Sequence, residues 1–553
     1  MTDPKKLRDR KTNSCISCVQ QKRQCNREYP CQQCIKRDKP RECVYQPHRP
    51  VLILRSRDKP GFQNYLSQLE QPYSPEKQLG SPNVPNTYQE DGGELGRYVR
   101  HLVSMSVTDG EDIVELILPK LLQTGDLVTC ILFERSIVQE WNSLRKDPRA
   151  MPPSVAFSFL TLVYGSVALT ALYCILLEES LPGNMGPAEI ILNICLTNCL
   201  QCWQHSDPDR PGQYKVEAAI VRLAVTLYHQ SDLQRAYTAL GHAIALAESS
   251  GYRESDVLHP SDFKGELRRR AWLLLENFDY RICSSFGRLQ RISHKQRKLE
   301  LRNLSDTSFD AYSTELPLQR RLDQLTRVLP LILISAIRNV SAKITLDIFG
   351  RDDITSKDIQ DFDQELDAVY QRVPKTITGD PVKVLQLQYT IAIIYHAAKM
   401  VLHRWSVLDE NMDRSDPYAN HSRAQCIGSA VEIMKIQKSL LDNRRSHHNR
   451  WELDPLTTYD FLFAGIILCL ELSYLIRPQR LFHRDVLRPE IFTRTVLHQL
   501  LSYSLEFWGE SHSYGIPLDT VRICAIFTRC VKEVECHAAQ TSYHPEPYFN
   551  GHG

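Results

Sequence analysis

Cysteine is absent from residues 1–14 and again from residues 44–129. Between these two stretches, positions 15 to 43 contain six of the 17 cysteines. Strand-type alternation with hairpin turns is scarce, which argues against a β-rich domain. Gly-rich phosphate loops and the G-x-S-x-G and H-E-x-x-H motifs are missing, so we expect no enzyme of those classes. Basic residues follow Met1 without a secretory apolar run. We therefore expect thiols and bound metal rather than disulfides.

Charge is distributed unevenly along the chain. Residues 1–60 contain 16 lysines and arginines against 6 acidic residues, a formal charge of +10, whereas the other residues together carry −8. A basic block on a mildly acidic body indicates a module that binds a polyanion. A solvated basic tail is the alternative that charge alone leaves open.

The pattern divides the chain into five segments. The segments are a basic disordered tail (1–12), the cysteine cluster (13–46), a flexible linker (47–94), an all-helical body (95–540) and a second disordered tail (541–553). Within the linker, Phe62, Leu66 and Leu69 lie at helical spacing. They leave open a short dimerisation helix and therefore a homodimer.

Apolar periodicity predicts helices through most of the body. Val155–Leu177 has no charged residue and is long enough to cross a bilayer, but its Ser and Thr residues favour a central helix buried within the protein. We therefore expect no membrane attachment. The predicted helices are 111–123, 154–179, 187–204, 215–229, 232–250, 266–286, 318–348, 356–371, 382–406, 422–441, 457–476, 491–508 and 517–537.

The cysteine cluster has the spacing of a metal site. Two tetrahedral zinc ions need eight ligand positions, which six thiolates supply if Cys15 and Cys31 bridge both metals. One zinc would take Cys15, Cys18, Cys25 and Cys31, and the other Cys15, Cys31, Cys34 and Cys43. A single four-thiolate zinc, a disulfide knot and an iron–sulfur or metallothionein-like site are less consistent with this spacing and its basic surroundings.

The surrounding basic residues lower thiol pKa values and so favour the thiolates that zinc needs. Because a module this small has no adequate hydrophobic core, bound zinc should supply its folding free energy.

The pattern C-x2-C-x6-C-x5-C-x2-C-x8-C, with Lys22 after the second cysteine and Pro30 before the fourth, resembles the fungal zinc binuclear cluster (Zn2Cys6) of transcription factors. The resemblance implies two zinc ions and a short helix that enters the DNA major groove and reads CGG-type triplets. It makes Lys22 the base-reading residue, with Gln21 beside it. The residues expected to contact phosphates are Arg23, Arg27, Lys36, Arg37 and Lys39.

The body is similar to the fungal transcription factor regulatory domain, also called the middle homology region. The motifs that carry this resemblance are Arg235-Ala236-Tyr237, 240–247, Gly251-Tyr252, 266–272, Asp279, Gly287-Arg288, Tyr389, Leu402-His403-Arg404, 461–465 and 468–472. Within them, Arg268–Arg270 with Glu266 and Asp279 form either a satisfied ion network or an anion or ligand site.

Three other features have a packing interpretation. Cys195, Cys199 and Cys202 lie on one helix face, which favours core packing over a redox or metal sensor. We expect His403 to be a core or capping histidine. The acidic run Asp352–Asp367 is typical of a solvated helix face, with an activation segment as the alternative.

Together these features predict a mostly α protein: a small Zn2Cys6 module, a flexible linker and a large all-α regulatory domain. The predicted function is that of a nuclear, sequence-specific regulator of RNA polymerase II transcription that binds double-stranded DNA and coactivators or corepressors. The alternative is a helical enzyme or scaffold that its zinc module recruits to nucleic acid.

Overall fold

The computed structural model of the protein describes residues 32–37, 93–104, 112–230, 232–254, 262–292, 300–313, 315–350, 354–408, 416–445, 455–476, 494–510 and 518–541. The chain divides into two compact units, residues 1–72 and 73–553. Within the first unit the description covers one short helix, α1 (Gln32–Ile35). The predicted tails, most of the linker and most of the cysteine cluster lie outside the described residues.

Helices dominate the second unit, which confirms the predicted mostly α fold. Where the chain is described, its β-type pairing is a single isolated bridge between Gln324 and Thr378. The described residues also include two 3₁₀ helices, at Leu127–Ile131 and Pro182–Asn184. The α-helices are α2 (Gly93–Ser104), α3 (Ile113–Leu122), α4 (Glu134–Lys146), α5 (Pro153–Leu177), α6 (Ala188–His205), α7 (Lys215–Gln230), α8 (Leu233–Ser249), α9 (Phe263–Ser285), α10 (Leu329–Gly350), α11 (Ser356–Gln371), α12 (Pro381–His403), α13 (Trp405–Leu408), α14 (Pro417–Arg445), α15 (Thr457–Ile476), α16 (Arg494–Glu510) and α17 (Leu518–Thr541).

Helix α5 is the centre of the first half of this unit. Every side chain from Ala156 to Cys174 is buried, and α6 and α7 pack along the helix. Its serine and threonine hydroxyl groups donate to backbone carbonyls one turn earlier, as Thr161 does to Phe157 O at 2.8 Å and Thr170 to Ser166 O at 2.9 Å. Buried polar side chains are satisfied inside the helix in this way, so the predicted buried helix is confirmed.

Three helices in the described ranges are long and apolar enough to cross a membrane, judged by length and composition: Pro153–Leu177, Leu329–Asp347 and Thr457–Leu475.

The apolar side chains form three main cores. The first joins α2 to α9 around α5, the second joins α12 and α14 to α17, and the third joins α10, α11 and α12. Leu127 packs against both the first and the third core. The boundary between these two cores therefore lies beside the 3₁₀ helix that contains Leu127.

The structure differs from the predicted helices at two kinds of place. Helices α2 and α4 were not predicted, although Ile137, Trp141 and Leu144 of α4 are buried at helical spacing. The helix predicted to begin at 318 begins at Leu329 instead. Before it, the Leu325 N–H donates to Thr378 O at 2.9 Å, so this segment pairs with another loop and cannot be helical.

Candidate functional sites

The structure describes three of the predicted zinc ligands and DNA contacts: Cys34, Lys36 and Arg37. The other predicted site residues lie outside the described residues; they are Cys15, Cys18, Gln21, Lys22, Arg23, Cys25, Arg27, Cys31, Lys39 and Cys43. The described part of the chain contains no group of three or more His, Cys, Asp or Glu side chains placed to hold a metal ion. The zinc site of the cysteine cluster stays a prediction.

Cys34 lies in the short helix α1, and its side chain is 1% exposed. Arg37 Nε donates to Gln33 O at 3.0 Å, and Arg37 Nη2 lies 3.9 Å from Cys34 Sγ. A guanidinium beside a buried sulfur favours the thiolate form, so these surroundings fit a zinc ligand. Lys36 is exposed, which leaves its ammonium accessible.

The arginine motif of the body forms a buried ion network. Arg270 and Glu266 are both fully buried, with Nε and Oε1 3.0 Å apart, and Arg270 Nη1 lies 2.7 Å from Asp306 Oδ1. Burial lowers the pKa of Arg270, but Asp306 and Glu266 outweigh burial and raise it above its ordinary value. Arg327 pairs with the second oxygen of Asp306 at 2.9 Å. The network thus reaches beyond the motif to a loop 36 residues away.

Two predicted members of that network lie elsewhere. Asp279 accepts the backbone N–H groups of Arg291 and Ile292, each at 2.8 Å, and holds the loop after α9 in place. Arg268 lies over the ring of Tyr252. The expectation that Asp279 joins the arginines is therefore wrong, because its carboxylate bonds to backbone N–H groups instead.

The cysteine face of α6 is part of the first core. Cys195, Cys199 and Cys202 are all buried, and the Cys199 thiol donates to Thr161 O at 3.5 Å. Burial raises the pKa of Cys199 to about 11. Thiols that are protonated at neutral pH are poor nucleophiles and poor metal ligands, so packing describes these residues better than sensing does.

His403 and the acidic run belong to a second buried polar cluster. His403 is buried between Ser422 and Asp363, with Nε2 3.1 Å from Asp363 Oδ1. The buried Lys399 ammonium lies 3.0 Å from both Asp363 and Asp367. Part of the run predicted as a solvated face therefore neutralises a buried lysine and joins α11 to α12.

A cavity of about 370 Å³ lies between the first and the third core. At its wall Asp126 Oδ1 accepts the Val128 N–H at 2.6 Å. The Tyr228 hydroxyl donates to Asp126 Oδ2 at 2.5 Å, and the Tyr173 hydroxyl bonds to the same oxygen. This cavity was not predicted from the sequence, because its walls come from segments far apart in the chain and no local pattern marks them.

A second cavity of about 290 Å³ adjoins the first. The two share Tyr173, Asp380, Lys383 and Gln386 as lining residues. Gly125, with φ of +78°, permits the close approach of Gln386, since a Cβ at this position would lie 2.7 Å from Gln386 Oε1. The beginning of α12 thus forms the wall between the two cavities.

Comparison with known proteins identifies the class of protein that this chain resembles. No protein-family model matches the chain. Its curated relatives, however, are named as transcription factors of the Zn(2)-C6 fungal type or of fungal gene clusters, which confirms the predicted resemblance.

Three of these relatives can be named. The chain is 25% identical over 379 residues, 65% of its own length, to the Zn(2)-C6 fungal-type transcription factor pigI of Monascus ruber, covering 45% of that protein. It is 24% identical to the pyrrolocin cluster transcription factor fsdR of Fungal sp. (strain NRRL 50135), over 56% of the chain and 42% of fsdR. It is 22% identical to the equisetin cluster transcription factor eqxF of Fusarium heterosporum, over 67% of the chain and 55% of eqxF. The chain spans about half the length of the curated relatives it matches.

Proposed function

We propose that this protein is a transcription factor that binds specific DNA sequences in the nucleus and regulates transcription by RNA polymerase II. The observation that carries the proposal is the six-cysteine spacing from Cys15 to Cys43 inside a basic block. The similarity to curated transcription factors supports it. In this proposal the protein is not an enzyme and has no membrane attachment. The burial of α5 inside the helical unit supports the second point for one of the three helices that are long and apolar enough to cross a membrane.

The zinc module is the DNA-reading part of the proposal. Two zinc ions shared by Cys15 and Cys31 would fix the fold of the module, in which Cys34 is already buried beside Arg37. Lys22 donates to O6 and N7 of guanine in a CGG-type triplet. Exposed basic residues such as Lys36 contact phosphates, which gives affinity without sequence information.

The helical unit has a regulatory role in this proposal, and it contacts coactivators or corepressors. The names of two relatives assign them to the pyrrolocin and equisetin clusters. We accordingly propose that this protein regulates a gene cluster. Deleting its gene should change the transcripts of a contiguous set of genes, and transcripts that change only at scattered loci would contradict this part.

DNA reading is tested with the zinc-loaded full chain and fluorescence anisotropy on two duplexes, one with CGG half-sites and one with those triplets scrambled. Wild-type protein should prefer the first duplex. Lys22→Ala should lose about 1–3 kcal/mol of that preference. The control Lys36→Ala should weaken binding to both duplexes equally. It should also reduce the slope of log K against log salt concentration by about one, because one phosphate contact is lost.

Equal wild-type affinity for the two duplexes would overturn sequence-specific reading. Equal, sequence-independent losses for Lys22→Ala and Lys36→Ala would remove Lys22 as the base reader. A comparison of duplexes with one and two half-sites also tests the proposed homodimer, because a dimer binds the two-site duplex far more tightly.

A further inference from the structure

We propose that the two adjoining cavities at the beginning of α12 are a binding site for a small amphipathic organic anion, with the ammonium of Lys383 as the group that binds its charge. This inference is independent of DNA reading, since it rests on the helical unit alone. It would give the proposed regulator a small-molecule ligand.

The size and position of the cavities suit a ligand. Cavities of about 300–1,000 Å³ hold drug-sized molecules and occur where separately packed parts of a protein meet. The larger cavity measures about 370 Å³ and lies where the first core meets the third. Its apolar walls are formed by Leu122, Leu127, Phe278, Pro330, Ile334 and Leu387. An apolar body of that size would bury its surface against side chains from both cores.

The acidic groups of the cavity walls are already satisfied by the protein. Asp126 accepts two tyrosine hydroxyls and a backbone N–H. Asp306 pairs with Arg270 and Arg327. Asp380 caps α12 and accepts the N–H groups of Val382 and Lys383 at 2.9 and 3.1 Å. Each of these three carboxylates therefore already has a donor or a cation from the protein, although Asp306 Oδ2 has only the ion pair with Arg327 and no hydrogen bond.

The basic side chains of the cavity walls differ in whether a carboxylate pairs with them. Arg281 lies 3.1 Å from Asp460, Arg327 is paired with Asp306, and Lys120 is paired with Glu179. Lys383 lines both cavities, and no carboxylate pairs with its ammonium in the part of the chain that the structure describes. One cation without an acidic partner beside apolar walls favours a ligand with one negative charge and an apolar body.

The test uses the full chain and two fluorescent probes that share a ring system. The anionic probe is 1-anilinonaphthalene-8-sulfonate, and the neutral probe is N-phenyl-1-naphthylamine, which lacks the sulfonate. We expect the anionic probe to bind wild-type protein saturably, with one probe per chain. Lys383→Ala should weaken its binding at least tenfold and change that of the neutral probe less than threefold. Lys383→Arg should keep the anionic affinity within threefold.

Two further variants test whether the probes bind in these two cavities. Lys357→Ala removes an exposed lysine of α11 that lines neither cavity, and should change neither affinity. Thr390→Trp places a large side chain at the wall of the larger cavity and should abolish the binding of both probes. Circular dichroism and thermal unfolding show that each variant is folded.

The proposal is overturned if the anionic probe does not saturate at one per chain, or if Lys383→Ala affects both probes equally or neither. It is overturned too if Lys357→Ala weakens binding as much as Lys383→Ala, or if folded Thr390→Trp binds as wild type does. None of these outcomes alters the DNA-reading test, so the two proposals fail separately.

Discussion

Arg270 Nη1 and Asp306 Oδ1 lie 2.7 Å apart, and the Arg270 side chain has no solvent exposure. This pair joins α9 to the loop that forms one wall of the larger cavity. Since Glu266, itself fully buried, bonds to the same guanidinium, Arg270 links two carboxylates, and Arg269 and Arg327 supply the second cation of Glu266 and Asp306 respectively.

Replacing Arg270 with Ala should destabilise the helical unit strongly. The buried Glu266 would keep only Arg269, 3.2 Å from its other oxygen, as a cation, and Asp306 would keep only Arg327. Removing one partner of a buried pair costs about 3–5 kcal/mol. The measurement is the urea dependence of helix content, and Arg302→Ala, at an exposed position, is the control with almost no effect. If Arg270→Ala lowered the free energy of unfolding as little as the control does, the buried ion network would not stabilise the helical unit.

Two helical glycines should respond to alanine in opposite directions. A Cβ at Gly465 would lie 2.1 Å from Cζ of Phe527, whose side chain is fully buried. Gly465→Ala should therefore destabilise the protein by about 1–3 kcal/mol. A Cβ at Gly428 meets nothing within 4 Å, so Gly428→Ala should stabilise it by about 0.5–1 kcal/mol. A Gly465→Ala urea midpoint at or above that of the wild type would contradict the packing of α15 on α17, and a Gly428→Ala midpoint below it would contradict the open space at Gly428.

His396 should make stability depend on pH. Burial lowers the pKa of His396 to about 4, below its ordinary value of 6.5. The unfolded chain therefore binds a proton at a higher pH than the folded chain does. The stability from neutral His396 is present above pH 6.5 and is lost as the pH falls toward 4. The loss is at most about 3 kcal/mol, at about 1.4 kcal/mol per pKa unit.

His396→Gln tests this dependence. The charged groups that act on His396 are Glu432, Lys399 and Asp367, and they stay in place in this variant. Urea midpoints of both proteins should be measured between pH 4 and pH 7. Wild-type stability should fall more steeply than that of the variant, and parallel profiles would contradict the prediction.

The full chain should bind two zinc ions, measured by mass spectrometry of the metal content. Cys15→Ser should remove a bridging ligand, lower the zinc content and abolish DNA binding, while thermal unfolding of the helical unit stays unchanged. Cys536→Ser is the matched control, since Cys536 is exposed in α17 and should keep both zinc ions. One zinc per wild-type chain would contradict the bridging assignment.

Local sequence signals account for the elements that were predicted well. Helices α11 and α15 have the predicted bounds, 356–371 and 457–476. At the beginning of α11, Thr355 and Asp358 form a capping box, with the Asp358 N–H 3.2 Å from the Thr355 hydroxyl. Such a start is visible in sequence because its partners lie three residues apart.

Elements whose partners are distant in sequence were predicted less well. The segment before Leu329 is held by Thr378, and no local pattern reveals that pairing. Pro330 near the beginning of α10 was a usable signal, since proline favours the first turn of a helix. The cavities are harder still to predict, because Asp126, Tyr228 and Lys383 approach one another only once the cores have packed.

The burial of every side chain from Ala156 to Cys174 in α5 has a consequence for synthesis on the ribosome. The helices α6 and α7, which pack along α5, are made after it. At about 5–20 residues per second, roughly 3–10 s pass between the emergence of α5 and that of the end of α7. For that time a nascent chain exposes an apolar surface that nothing of its own covers. A chain terminated after Pro187 should therefore need a chaperone to stay soluble. In a chain that extends beyond α7, helices α6 and α7 cover the apolar surface of α5.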